Sequence, residues 1–395
     1  MELQYAKRFD GITGSVIRDI FKLLTNPDII SFAGGNPANS ALESDVISGF
    51  AQQVLAQNGT QILQYGQTEG YAPLRESAAE FYKRVGVTAR PEQVLPVTGS
   101  TQAIDLICKA LLDPGDTMLV ESPTFLGALQ AFNLYQANLV SVDTDEEGVI
   151  PELLEEKIKA HNPKLIYLIP TFQNPTGRTL SLERRKRIAK IVEKYNVVVI
   201  EDDPYRDLRY AGEALPAIKA FDTTDRILYC NSFSKIISPG MRVAAIVCTE
   251  PTLMRKLVIG KQSTDLHTPA LTQAIIDAYL RAGTLEEHIR VISESYGRQM
   301  AKMQQMLETF PKSVKYTKPE GGIFLWCELP EGFNATELLT QATQAGVAYI
   351  PGTYFYTVKD THHNTMRLNF SNASLENIEK GMERLRELFV AQGLK

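Results

Sequence analysis

The sequence predicts an α/β protein: a large domain with a mostly parallel seven-stranded sheet flanked by helices, then a smaller α+β domain. Between residues 94 and 248, seven short apolar runs (VLPV, TMLVE, NLVSV, LIYLI, VVVIE, ILYCN and VAAIVC) alternate with helical stretches. This is the rhythm of strands buried on both faces and joined by crossover helices. Beyond Pro269 the pattern turns to long helices and then to the strand-like IFLWCE, VAYI and MRLNF. A chain of 395 residues also exceeds what one hydrophobic core fills, which favours a second domain.

At the N-terminus, Ile12, Val16, Ile17, Ile20, Phe21 and Leu24 recur at helical spacing, with Arg18 off their stripe. The following FAGGNP suits an irregular loop where backbone approaches a ligand or another chain. Leu182, Ile188, Ile191, Val192 and Tyr195 share one helix face just before VVVIE, as a crossover connection requires. A long helix is expected over LEEHIRVISESYGRQMAKMQQML, and a last one should bury Ile378, Met382, Leu385 and Leu388. The expected division is an N-terminal arm at 1–45, a large domain at 46–280 and a small domain at 281–395. No repeat or Gly/Ser-rich linker interrupts the chain.

Composition narrows the function. There are 41 basic against 46 acidic residues, a net charge of −5, so nothing overall attracts the chain to nucleic acid or to an anionic membrane. Cys108, Cys230, Cys248 and Cys327 are widely spaced and show no metal-ligand pattern, which fits buried thiols in a reducing compartment. No stretch has the length and apolarity of a signal peptide or a bilayer span, and a cytoplasmic protein is expected.

Four motifs carry chemistry. In NSFSKIISPGMR, residues 231–242, the Lys235 amine could form a Schiff base with an aldehyde cofactor. Ser232, Ser234 and Arg242 could hold an attached phosphate. VVVIEDDPY sets Asp202 just past a strand end, where a carboxylate can hold a proton on a pyridine nitrogen, with Tyr205 close behind to bond a ring oxygen. FQNPTGR offers the Asn174 amide to the same oxygen, and VTGSTQA puts Ser100 and Thr101 at a helix N-terminus suited to phosphate. Taken singly, each also reads as a basic loop, an acidic turn, a bare Asn-Pro turn or an ordinary helix cap. Together and in this order they point to one site.

With these motifs the chain resembles the fold-type I pyridoxal-phosphate enzymes of the class I and II aminotransferase family, within its 2-aminoadipate and kynurenine aminotransferase-like branch. The likeness runs from GSVIRDIFKL and SFAGGNP through NPTG, EDDPY and SFSKIISPGMR to MRLNFS. It implies pyridoxal 5'-phosphate as cofactor, with Lys235 bonded to it, Asp202 at the pyridine nitrogen, and Tyr205 with Asn174 at the 3-oxygen. Ser100, Thr101, Ser232, Ser234 and Arg242 would face the phosphate, and Tyr65 would reach the phosphate of a neighbouring subunit in a homodimer. Phe125 stands where relatives often carry a stacking tyrosine, so it keeps the ring face and lacks the hydroxyl. Arg367 would grip the substrate α-carboxylate with help from Asn174 and the backbone at Gly35, and Arg18 matches a mobile-helix arginine that some relatives use for acidic side chains.

The resemblance implies ping-pong amino transfer between an L-amino acid, of 2-aminoadipate, aromatic or branched-chain type, and a 2-oxo acid such as 2-oxoglutarate. A β-lyase or decarboxylase on the same fold is the rival enzyme reading, since substrate orientation decides which bond breaks. Related domains also serve as effector-binding halves of transcription regulators. The first motif begins by residue 14, and no helix-turn-helix is expected ahead of it.

Overall fold

The computed structural model describes residues 3–10, 12 and 28–395. Of the helix expected from Ile12 to Leu24 only Ile12 is described, outside any helix; the rest, Arg18 included, lies outside the described residues.

All seven apolar runs form strands. They are β2 (Val94–Val97), β3 (Thr117–Ser122), β4 (Asn138–Asp145), β6 (Leu165–Leu168), β7 (Val198–Asp202), β8 (Ile227–Ser232) and β9 (Ala244–Val247). The two-residue β5 (Gly148–Val149) folds back on the end of β4 and adds an eighth strand to the expected seven. The order is β2-β9-β8-β7-β6-β3-β4-β5. Pairing is parallel from β8 through β7, β6 and β3 to β4, whereas β9 runs antiparallel to both β2 and β8. Strands β2, β6, β8 and β9 are buried at every position, which is why they read as unbroken apolar runs.

Helices α1 (Ser44–Ile62), α2 (Ala72–Tyr82), α3 (Ser100–Leu111), α4 (Leu126–Leu134), α5 (Pro151–His161), α6 (Leu182–Tyr195), α7 (Pro251–Gln262) and α8 (Ala270–Arg281) accompany this sheet. In α6 the Ser181 hydroxyl accepts from the Arg184 N–H, a cap of about 1 kcal/mol. Ile188, Ile191 and Val192 form its buried face as expected. Leu182 instead stays 37% exposed, and Tyr195 turns its hydroxyl to Glu155 at 2.6 Å.

Helix α9 (Leu285–Leu307) leads to a four-stranded antiparallel sheet, β10 (Lys315–Tyr316), β11 (Phe324–Glu328), β14 (Thr365–Asn369) and β13 (Ile350–Pro351), in that order. The VAYI run is not one strand. Its first half, β12 (Val347–Ala348), pairs in parallel with β1 (Ile30–Ser31), while its last residue begins β13. Helix α10 (Ala335–Gln344) precedes it, and α11 (Leu375–Ala391) closes the chain against α9. In α11, Ile378, Met382 and Leu385 are buried as expected, but the next core residue is Phe389, with Leu388 only half-buried beside it.

Successive parallel strands deliver their C-terminal ends to one edge of the large sheet. The motif residues after β2, β6, β7 and β8 therefore converge there, as is general for open α/β sheets.

Candidate active site

Lys235 lies in the turn after β8, with its Nζ donating to the Gly35 carbonyl at 2.6 Å. Burial first, and then the positive charges of Arg367 and Arg242, bring its pKa down to about 8. A lysine held this way is partly neutral just below pH 8 and neutral above it, in the form that attacks a carbonyl.

Asp202 ends β7. Its Oδ2 accepts from the Tyr167 hydroxyl at 2.6 Å, while Oδ1 is buried and has no partner among the described residues. Burial raises its pKa to about 7; the Tyr167 hydrogen bond opposes the rise and Asp203 adds to it. Asp203 is itself engaged by Arg206. A buried carboxylate with one oxygen fixed and one free suits a cationic N–H.

Arg367 sits on β14, inside the small sheet, opposite Trp326 of β11 and Ile350 of β13. It is almost completely buried. Its guanidinium lies 4.1 Å from the Phe324 ring centroid and 5.1 Å from that of Phe355. Nη1 donates to Asn174 Oδ1 at 2.9 Å and Nη2 to the Ala33 carbonyl at 2.7 Å, whereas the buried Nε has no partner among the described residues. Burial lowers its pKa to about 10, so it stays a cation at neutral pH. Asn174 in turn donates Nδ2 to the Tyr205 hydroxyl at 3.2 Å. Burial raises that phenol to about 12. The Tyr205 ring centroid is 6.0 Å from Lys235 Nζ, which joins lysine, phenol, amide and guanidinium in one site.

Beside them lie the Gly99 turn and Arg242. Gly99 caps α3 at φ +83°, and a Cβ there would lie 2.1 Å from Arg242 Nη2, so only glycine fits. Ser100 Oγ is buried without a partner among the described residues, at the N-terminus of a twelve-residue helix. Ser232 Oγ donates to Ser234 Oγ at 2.9 Å, and Arg242 Nη2 reaches the Thr98 carbonyl at 3.4 Å. Thr101 is exposed at the start of the same helix, and Phe125 is half-buried at the N-cap of α4. Gly35 enters through its carbonyl, which Lys235 occupies.

Tyr65 is not part of this cluster. It is 81% exposed, its ring edge-on to His267 at 6.2 Å.

Sequence reasoning missed Tyr167, the Ala33 carbonyl and the two phenylalanines around Arg367. For Tyr167 a signal existed: a tyrosine within an aliphatic central strand must find a hydrogen-bond partner.

The family model described as Aminotransferase class I and II matches residues 27–385. The chain belongs to this family. The aminotransferase is 42% identical to aromatic-amino-acid aminotransferase 1 of Thermococcus litoralis, over 98% of this chain and 94% of that protein. It is 40% identical to the 2-aminoadipate transaminase of Thermus thermophilus, over 96% and 95%. The solved structure of Pyrococcus horikoshii kynurenine aminotransferase in complex with PMP superposes with a TM-score of 0.94 at 39% identity, covering 98% of this chain and 97% of that one. The fold is the type I pyridoxal-phosphate transferase fold, and the enzyme is a pyridoxal-phosphate-dependent aminotransferase acting between an amino acid and a 2-oxo acid.

The residues present fit that cofactor. The unpaired Asp202 Oδ1 matches a protonated ring nitrogen, and the unpaired Ser100 Oγ with Arg242 matches a phosphate. Among the described residues no helix is long and apolar enough to cross a membrane.

Proposed function

We propose that Lys235 carries the cofactor and that the donors are aromatic amino acids and 2-aminoadipate, with 2-oxoglutarate as acceptor. The observation that carries this reading is the continuous chain Arg367–Asn174–Tyr205 beside a lysine amine lowered to about 8. The two curated relatives named above support the donor classes.

Bound pyridoxal 5'-phosphate supplies an aldehyde for the substrate amine and a protonated ring that draws electrons from the substrate Cα. Asp202 Oδ1 holds the proton on the ring nitrogen. The Asn174 amide and Tyr205 hydroxyl would hold the ring oxygen, and Phe125 would pack against the ring. Ser100, Thr101, Ser232, Ser234 and Arg242 bind the phosphate. Arg367 grips the α-carboxylate, with Asn174 and the backbone at Gly35 beside it, and so fixes the Cα–H bond toward Lys235. Lys235 Nζ, neutral above about pH 8, takes the proton from that Cα. Arg18 meets acidic donor side chains.

The active form is a cytoplasmic homodimer in which Tyr65 serves the partner subunit's phosphate. Its exposure and the four buried free thiols support this. The chain divides at about residues 45 and 280 into arm, large and small domains.

The test mixes holoenzyme with single amino acids and follows cofactor absorbance, with borohydride reduction and peptide mapping of resting enzyme. Label on Lys235, and conversion to the amine form of the cofactor by aromatic and 2-aminoadipate donors, are expected. An unlabelled Lys235 overturns the assignment, and release of ammonia with pyruvate indicates a lyase.

A further inference from the structure

Lys261, in the last turn of α7, is fully buried. Its Nζ donates to both Asp265 carboxylate oxygens and to Thr268 Oγ1 at 3.0 Å, and to Gln102 Oε1 at 2.9 Å. Asp265 Oδ2 also accepts from Gln102 Nε2 at 2.7 Å and from Thr98 Oγ1 at 3.0 Å. Gln102 Oε1 takes the Thr98 N–H at 2.7 Å as well. Outside their own segment, the described side-chain bonds of this ion pair end on Thr98 and Gln102, which flank Gly99, Ser100 and Thr101.

The segment holds a second loop. His267 Nε2 accepts from the Gly66 N–H at 3.1 Å, so Nδ1 carries the ring proton and donates to the Thr268 carbonyl at 2.9 Å. Gly66 follows Tyr65 directly. One partly buried cluster thus sets the Thr98 carbonyl, to which Arg242 bonds, and the loop that displays Tyr65.

An ion pair whose lysine is fully buried and whose carboxylate is partly buried regains in attraction much of what it costs in desolvation, so its use is geometric more than stabilising. We propose that Lys261 and Asp265 are positioning residues for the cofactor phosphate: they lock the Thr98–Ser100 turn under Arg242 and, through His267, fix the Tyr65 loop of the same subunit. The proposal rests on the phosphate assignment made above.

Asp265→Asn and Lys261→Met test it in the full chain, by titration with pyridoxal 5'-phosphate and with pyridoxal, which lacks only the phosphate. Both variants should bind the phosphorylated form about tenfold more weakly and pyridoxal as wild type does, because a charge-assisted network to the phosphate cup is loosened. Equal losses for the two ligands, or none for either, overturn the proposal. Should these variants fail to fold, Thr98→Val removes a single hydroxyl from the cluster and must show the same selective loss, about threefold. If wild type itself bound both ligands equally, the phosphate assignment would fall and the proposal with it. Equal losses against a wild type that prefers the phosphate would remove the proposal alone.

Discussion

Arg367 Nη1 donates to Asn174 Oδ1 across 2.9 Å, tying the middle of the small sheet to the loop after β6. A guanidinium can serve Asn174 and the Ala33 carbonyl and still offer a carboxylate further donors of its planar fork, whereas a lysine ammonium has three donors and no fork. Arg367→Lys should therefore lower kcat/KM for donor and acceptor by about 100-fold, mostly through KM, in steady-state assays. A variant that lost thermal stability and kept kcat/KM would make this arginine structural only.

Asp202 titrates near 3.8 when unfolded and near 7 in the folded apoenzyme, because burial favours its neutral form. Its contribution to apoenzyme stability is fully present below about pH 4 and is lost as pH rises through 7. Above pH 7 the cost is on the order of 4 kcal/mol. Asp202→Asn should flatten the fall in apoenzyme melting temperature between about pH 4 and 7. In holoenzyme a cationic ring nitrogen stabilises the carboxylate, so wild type should show little of that fall. Identical pH–melting curves for apo wild type and variant would refute the assignment.

Tyr167 fixes Oδ2 of the same carboxylate at 2.6 Å and opposes the rise in its pKa. Tyr167→Phe removes that donor and leaves the oxygen buried, so Asp202 should titrate still higher. The fall in the apoenzyme melting profile still begins near pH 4 but deepens and extends to higher pH, and kcat drops by about tenfold with little change in KM. A drop in KM-dependent binding alone would contradict this.

Lys235 should capture the cofactor at a rate that climbs with pH and levels off above about 8, since only the neutral amine attacks the aldehyde. Arg367 is the neighbouring charge that contributes most to the lowering after burial. Arg367→Met should therefore move the midpoint of the rate profile upward in stopped-flow mixing of apoenzyme with cofactor. A midpoint that stayed in place would remove the electrostatic explanation.

The large sheet was legible because each of its seven main strands is a short apolar run bounded by turns, so its burial is written into consecutive residues. VAYI misled because two pairings share it: Val347 and Ala348 go to β1, more than three hundred residues back, and nothing local marks the break. Fully buried Tyr349 sits at that break and bonds the Ala335 carbonyl at 2.7 Å. In the site, Lys235, Asp202 and Asn174 could be read since each sits at or past a strand end in a motif of reactive types. Ala33 and Lys261 could not, because each is locally ordinary and acquires its role only from a partner brought in from elsewhere, as Lys261 does from Gln102.

Tyr65 offers a test of subunit cooperation. It is exposed, and its loop is held by His267. If it completes the partner's phosphate site, Lys235→Ala and Tyr65→Ala homodimers should each be impaired, the first almost completely. Mixed dimers formed by co-refolding or co-expression behave differently. In them one site carries both lesions, while the other combines an intact Lys235 with an intact Tyr65 from the opposite subunit. Activity per intact lysine should then return to about the wild-type value, as native sites regenerate when complementary defects lie on different chains. Were Tyr65 to act within its own subunit, every site of the hybrid would keep one defect, and mixing would restore nothing beyond the activity of the Tyr65→Ala parent.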